Sequence, residues 1–558
     1  MDLLPELTFA WTNRNVSLLP SNSLWNLHDT IDSFYKCSVE IEQSARMRRW
    51  HQRQRESWKG TEKANYGWFR NETKDDAEYI RHNNENIIDR QLQLEAITTE
   101  WMTVFQEYRD NPPPEWTAYL TEYHQDIPKG IAGNTPLDQD KYYRRLQKPN
   151  DEKAGSFDFW ATKEAKRLPV VFSHAACVVF TSIEHYGNWP AHLLEVPVAL
   201  PPKKGPPSAL NQRPITRLSV WVSTWSSVRY DDYMQWQLTW LPPELCARPS
   251  SFTRDITWGL SLQVENAKLK GIPKTGLLQD KDKFFDLMVW EISLGMLTHS
   301  NGPSGIMTAL RGLYGNLRSR FRSIGFVSAA WKRTNGGPQG CSWSTVCAKL
   351  RIATFTNRVK RMIATSMVGG YRDDINTLTN GSPELQRVLK EVQTFNQKAG
   401  TRTHPTESVV YITDESLQEE VKVLEIMLSK VVTLVEYDAL LSVTINSSNV
   451  WKQQLQDERA RKTITTLKRI RFAPIADDRR AEMAATAGIK KYAYGAELCL
   501  PTKAARDKVN EALTAALWRQ TFKWRNRRIV WTIVYKGHLL EADMVTTYKA
   551  LVHARHQL

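Results

Sequence analysis

The sequence predicts an α+β fold in consecutive blocks: a helical N-terminal region over residues 1–150, a mixed region over 155–450 built on an antiparallel sheet, and a basic helical region over 451–558. Three observations predict it. Apolar residues recur at three-to-four spacing in Ser382 to Asn396 and in Ser416 to Val432, the period of a helix with one buried face. Ile363 to Tyr371 and Ile375 to Leu378 are apolar runs on either side of a short polar turn, the pattern of a hairpin that would carry Asp373 and Asp374 at its tip. The net charge of +15 is concentrated at one end: from Trp451 to Leu558 there are 22 Lys and Arg against 10 Asp and Glu, a balance of +12 that leaves +3 for everything before.

In the first block, SARMRRWHQRQRESWK sets Arg46, Arg48, Arg49, Arg53, Arg55 and Lys59 around Trp50 and Trp58, either a solvated helix face or a nucleic-acid contact. Asn111-Pro112-Pro113-Pro114 interrupts the helical pattern, and LQKPNDEKAGS at 146–156 reads as a linker. In the second block, Pro169 to Tyr186 is rich in apolar residues and predicts a buried helix. Val196 to Leu200 predicts a short strand entering the proline-rich turn Pro201 to Pro207, and Arg217 to Trp225 is an apolar, β-branched run. In the third block, WRQTFKWRNRRIVW interleaves Trp518, Phe522, Trp524 and Trp531 with Arg519, Lys523, Arg525, Arg527 and Arg528. Cations at that spacing neutralise phosphates and aromatic rings stack on bases, although the same tryptophans would also serve as the core of a helix.

Composition removes several classes. With 558 residues, 41% hydrophobic and 10% aromatic, the chain can bury sizeable cores. Cys37, Cys177, Cys246, Cys341, Cys347 and Cys499 form no C-x-x-C pair, which argues against a zinc knuckle or a disulfide framework and for a reducing compartment. No signal-peptide pattern opens the sequence and no apolar run approaches the ~18 residues of a membrane span, so an intracellular location is expected. The phosphate loop G-x-x-x-x-G-K-[ST], the H-E-x-x-H metal motif and the G-x-S-x-G elbow are all missing from the sequence.

Three fragments remain: DKDKFFD with Asp280 and Asp286, the glycine-flanked PQG at Pro338 to Gly340, and Tyr371-Arg372-Asp373-Asp374. Each alone is weak, since an Asp-Asp turn is ordinarily solvated and DKDKFFD could be a charged helix face. Together they suggest carboxylates delivered to one place from the ends of different strands. In-line displacement of pyrophosphate by a hydroxyl builds negative charge on the attacking and leaving oxygens, and two metal ions about 3.5–4 Å apart can hold both. Mg²⁺ prefers oxygen ligands and is usually held by one or two carboxylates plus substrate phosphates.

In this order the fragments resemble the reverse transcriptases of non-LTR (LINE-type) retrotransposons, from about Phe157 to the C-terminus. The family's first motif is D-x-x-K-A-F-D, and Asp280 to Asp286 departs from it at one position. Gly336-Gly337-Pro338-Gln339-Gly340 with Ser344 matches the second, and Tyr371-Arg372-Asp373-Asp374 the third. Lys203-Lys204-Gly205 and Arg213-Pro214-Ile215 lie where the family has its basic fingers segments.

The resemblance implies a right-hand polymerase of fingers, palm and thumb, with an antiparallel palm sheet and a thumb from residue 451 onward that tracks a primer–template duplex. It implies copying of an RNA template by extension of a DNA primer with dNTPs and two Mg²⁺ ions, in the nucleus. Asp280 and Asp373 would bridge the metals, with Asp374 as supporting acid and Lys281 contributing its carbonyl. Phe285 would exclude a 2′ hydroxyl, Gln339 and Gly340 would line the pocket under the incoming base, and Arg213 and Lys203 would clamp the triphosphate.

The family's asparagine and lysine after the aspartate pair are only half present: Asn446 is followed by Ser447-Ser448-Asn449, with no lysine. The segment after PQG, CSWSTVCAKL, and Gly155-Ser156-Phe157-Asp158 in place of G-x-D-G also depart. A catalytically inactive nucleic-acid-binding relic therefore stands as the alternative. RNA-dependent RNA polymerases carry Gly-Asp-Asp and first-motif acids five apart, which the six-residue step from Asp280 to Asp286 does not match. Family elements also carry an endonuclease, so the expectation is a fragment of a longer element.

Overall fold

The computed structural model describes residues 79–557, except 134, 152–154, 204, 246–247, 249–250, 252, 324, 372, 428–432, 436, 441–442, 448–451, 474–476 and 519–539. The fold is α+β. In chain order the strands are β1 (Ile80–His82), β2 (Glu85–Ile87), β3 (Glu195–Ala199), β4 (Ile215–Thr216), β5 (Thr275–Gln279), β6 (Arg318–Ser323), β7 (Phe326–Val327), β8 (Trp331–Lys332), β9 (Met367–Tyr371), β10 (Asp374–Thr379), β11 (Val409–Ile412), β12 (Thr433–Val435), β13 (Tyr437–Leu440) and β14 (Val443–Asn446).

The central sheet runs β12-β11-β5-β10-β9. Its inner strands pair antiparallel, and β12 joins β11 in parallel. The central strand β5, TGLLQ, is buried at every position because both faces are covered, so it reads as an unbroken run rather than an alternation. One face carries Leu278, Leu378 and Val409 under Ile256, Leu260 and Val264 of the helix Thr253–Lys270. The other carries Leu277, Ile375 and Val410 against the helices Ser342–Met362 and Gly381–Ala399. Gly369 on β9 leaves room for the Asn376 side chain opposite it: a Cβ there would sit 2.8 Å from Asn376 Oδ1.

A second sheet, β4-β3-β6-β7 with β8 also on β6, packs Val198, Phe321 and Trp331 under Leu94, Ile97, Trp101 and Phe105 of the helix Arg90–Phe105. The described part of the block expected at 1–150 is thus not separate. Its helix Trp116–Tyr123 buries Tyr119 and Tyr123 in the same core as the central sheet, where both rings pack edge-on against Phe395 of the helix Gly381–Ala399.

The chain divides into two compact units, the larger drawn from Thr73–Glu458, Tyr494–Thr502 and Lys549–Leu558, the smaller including Arg459–Ala493 and Lys503–Tyr548. The expected boundary at 451 falls some residues early, since the helix Gln454–Phe472 carries the chain past it. The smaller unit is helical among its described residues, with Leu467, Ile470, Ile489, Leu513 and Leu517 in its own core.

Two local expectations change. Pro169 to Tyr186 is a helix over Val170–Tyr186, but it buries only Ser173, Cys177, Phe180 and Ile183 and leaves Val171 61% and Val178 65% exposed. Apolar residues on both its buried and its exposed sides hide in the sequence which face is covered. The β-branched run after Arg217 becomes the helix Val220–Asp232, started by Ser219, whose side chain accepts from the Trp221 N–H. No helix among the described residues is long and apolar enough to cross a membrane.

Candidate functional site

The runs flanking Asp373 and Asp374 form the expected hairpin. β9 and β10 pair with Asp374 opposite Tyr371, and Asp373 lies in the turn between them. In turn Ile375 pairs with Gln279, so one step further along both strands brings Asp374 alongside Asp280, the first residue past β5. Register in one sheet therefore gathers Asp280, Asp373 and Asp374, which lie about ninety residues apart in sequence.

Their electrostatics are those of a shared site. Burial pushes the Asp280 carboxyl up to about 7, helped by Asp373, Asp374 and Glu407 and by a hydrogen bond with Glu407. Burial and then the charges of Asp373 and Glu407 push Asp374 up to about 7 as well. Like charges brought together in a partly desolvated place favour the protonated form until a cation neutralises them.

A second segment, residues 402–408, is stitched along the first motif. The His404 N–H donates to the Asp280 carbonyl at 2.9 Å, and the Asp282 N–H to that of Arg402 at 3.0 Å. Ser408 Oγ accepts from the Asp280 N–H at 3.0 Å and donates back to its carbonyl at 3.1 Å. Asp280, His404 and Glu407 are thereby placed with potential ligand atoms within 4.8 Å of one another, a group that could hold a metal ion. His404 Nδ1 accepts from the Glu407 N–H at 3.1 Å, which fixes the ring over this turn.

The PQG segment lies against the other end of the same motif. Gly336 N–H donates to Met288 O at 2.8 Å and Gly337 N–H to Phe285 O at 2.7 Å. Gln339 Nε2 donates to both Asp286 oxygens at 3.0 Å. The amide of Gln339 is thus committed to Asp286, and its carbonyl accepts from the Thr216 N–H at 2.9 Å. Gly340 is exposed with φ +120°, and a Cβ there would meet the Thr216 carbonyl oxygen at 2.7 Å. Burial raises the Asp286 carboxyl to about 7, opposed by Arg333, Gln339, Lys203 and Lys283. Arg333 is itself buried, 4.5 Å from the Phe105 ring centre, and donates to Thr216 Oγ1 at 2.8 Å and Ser319 Oγ at 3.1 Å.

Phe285 is half-buried against the main core, its ring edge-on to Phe284. Lys203 and Arg213 are exposed on one loop, with the Lys203 N–H bonded to Asn211 O at 3.0 Å and the Arg213 N–H to Pro201 O at 2.9 Å. Arg519, Lys523, Arg525, Arg527 and Arg528 lie outside the described residues, as do Arg46 to Lys59 and Lys204.

Sequence reasoning missed His404, Glu407 and Ser408, whose only signal is a polar, proline-containing turn ahead of an apolar strand. It also missed the Lys281 side chain. Its Nζ is buried over the Phe355 and Phe395 rings and donates to Asn396 Oδ1 at 2.6 Å, and burial lowers its pKa to about 7. No protein-family model matches the sequence, and no curated protein matches it.

Proposed function

We propose that the chain is a polymerase that joins nucleotides by two-metal, in-line displacement of pyrophosphate, and that it is an RNA-directed DNA polymerase of the non-LTR retroelement type. The observation that carries this reading is the meeting of Asp280 with Asp373 and Asp374 at the ends of neighbouring antiparallel strands. On this reading the central sheet is the palm, the β3-β6 sheet belongs to the fingers, and the helical unit after residue 459 is the thumb. Two Mg²⁺ ions fit the donor set, because carboxylates pushed toward neutrality by burial and by one another's charge are relieved by hard cations that accept oxygen ligands. When bound, the ions would hold the attacking and leaving oxygens. The chain itself supplies the carboxylates, the half-buried Phe285 against a 2′ hydroxyl, and Arg213 and Lys203 toward the triphosphate.

The test is primer extension on an RNA template with purified protein. Wild type is expected to add dNTPs with Mg²⁺ or Mn²⁺, and Asp373→Ala to abolish addition. A wild-type protein that adds no nucleotide under either ion would sink the enzymatic reading. One observation favours the second reading, an inactive nucleic-acid-binding relic: Asn446 is followed by serine and asparagine where a lysine would assist the leaving pyrophosphate. That reading expects nucleic-acid binding without incorporation.

A further inference from the structure

Among the described residues, the second sheet is covered on one face only. Val198, Phe321 and Trp331 point under the helix Arg90–Phe105, while along β6 the intervening Arg318 and Arg322 are exposed and Arg320 is half-buried. Pairing extends this ladder sideways. Lys332 on β8 sits opposite Arg318, and Ala199, opposite Arg322, also pairs with Ile215 of β4. Alternation along the β4 edge then sets Arg213, Ile215 and Arg217 on the open side while Thr216 is buried, and the Arg217 N–H is fixed to Pro197 O at 2.9 Å. Six cations thus share one face. The one acid that the described register places among them, Glu195, is paired with Arg320. Arg217 and Arg322 are close enough that, after burial, the charge of Arg322 is what weakens protonation of Arg217.

An open sheet face of like charges with almost no internal acid is complementary to a polyanion. Successive arginines on β6 are two residues apart, roughly 6.6 Å, a regular step along a line rather than a concave cluster around one small anion. The face also leads to the candidate site, since Thr216 of β4 bonds directly to the Gln339 carbonyl. We propose that the Arg217, Arg318, Arg322 and Lys332 face carries the phosphodiester backbone of a single-stranded nucleic acid, the template strand ahead of the site. This deepens the polymerase reading and rests on it for the word template, but the binding itself does not require nucleotide transfer.

The experiment measures equilibrium binding, by fluorescence anisotropy over a range of salt, of a primer–template duplex with a single-stranded 5′ template overhang and of the same duplex blunt-ended. Nucleotide and divalent cation are left out. Wild type is expected to bind the overhang form more tightly. The triple variant Arg217→Gln, Arg318→Gln, Arg322→Gln should lose that advantage, and its salt slope on the overhang form should fall by about 2, at roughly 0.7 per phosphate contact on a single strand. A control with equal charge loss at the exposed Arg144, Lys270 and Lys390 should keep the advantage, and circular dichroism of both variants should match wild type. An unchanged overhang advantage in the triple variant, equal losses on both substrates, or no advantage in wild type would each overturn the proposal. A chain that fails primer extension yet shows arginine-dependent overhang binding keeps this inference and loses the polymerase one.

Discussion

Removing divalent cation should make the fold sensitive to pH in a way that traces to the Asp280, Asp373, Asp374 and Glu407 carboxylates. An acid whose pKa is raised in the folded state contributes stability that is complete below its unfolded value near 3.8 and is lost as pH climbs to the folded value. For Asp280 and Asp374 that loss ends at about 7. Potential ligand atoms of Asp280 and Glu407 lie within 4.8 Å. Two unit charges at that separation repel by about 3 kcal/mol at an effective dielectric of about 20, and solvent and salt around the exposed Glu407 reduce this to ~1 kcal/mol. With Asp373 and Asp374 adding comparable repulsions, the whole cluster contributes on the order of 2 kcal/mol, or about 2 °C in Tm for a unit of this size. Thermal unfolding in chelator should therefore fall by about that much from pH ~5 to pH ~8, and millimolar Mg²⁺ should restore it at the higher pH while doing little at the lower, where protons already neutralise the site. The double variant Asp280→Asn, Asp374→Asn should lose the cluster's share of the slope and the Mg²⁺ response. Asp286 adds a slope of the same sign that Mg²⁺ should leave in place, because its carboxylate is held by Gln339 away from the cluster. A Mg²⁺ shift equal at both pH values, or one that survives the double variant, would refute the reasoning.

Gly340→Ala forces a side chain onto φ +120° and against the Thr216 carbonyl. It should cost roughly 1–3 kcal/mol in urea unfolding and weaken primer extension together with stability. Lys281→Met replaces a buried amine whose pKa is lowered to about 7. Because such a base contributes stability that is complete above about 10.5 and lost as pH falls to about 7, the variant should exceed wild type by on the order of 2–4 kcal/mol near pH 7 and lose that lead toward pH 10. Replacing Arg519, Lys523, Arg525, Arg527 and Arg528 with glutamine should lower the salt slope for duplex binding by several units, and an unchanged slope would dispose of the charge argument for the C-terminal block.

The parts legible in the sequence are those fixed by local pattern. Ile363 to Leu378 could be read as a hairpin because two apolar runs flank a short polar gap, although the second strand begins one residue earlier than that reading, at Asp374 opposite Tyr371. Glu195–Ala199 and Gly381–Ala399 were readable for the same reason, through alternation and helical period. The segment 402–408 was not, because its conformation is set by bonds to Asp280 across 128 residues of sequence, as between Ser408 Oγ and the Asp280 N–H. Arg333 and Lys281 were equally hidden. A charged residue is expected in water until its aromatic cover, Phe105 and Trp331 for one and Phe355 and Phe395 for the other, is brought in from distant helices and strands.

What holds the first sequence fragment to the other segments around it has a physical answer in the stretch from Asp280 to Met288. It is neither helix nor strand, and its internal backbone bonds are those of a turn, from the Asp286 and Leu287 N–H groups to Lys283 O, so most of its polar groups need partners from elsewhere. Ser408, His404 and Arg402 bind its first residues, while Gly337, Asn335, Gln339 and Gly336 bind Phe285, Asp286 and Met288. Lys283 within it sits at φ +44°, a conformation that a lysine adopts only when its surroundings impose it. The glycines around PQG are therefore structural partners of the first acidic motif as much as candidates for contact with a nucleotide. Loosening either clamp should displace Asp280 relative to the hairpin tip without touching a carboxylate, so the precision of the acidic cluster depends on residues that carry no charge at all.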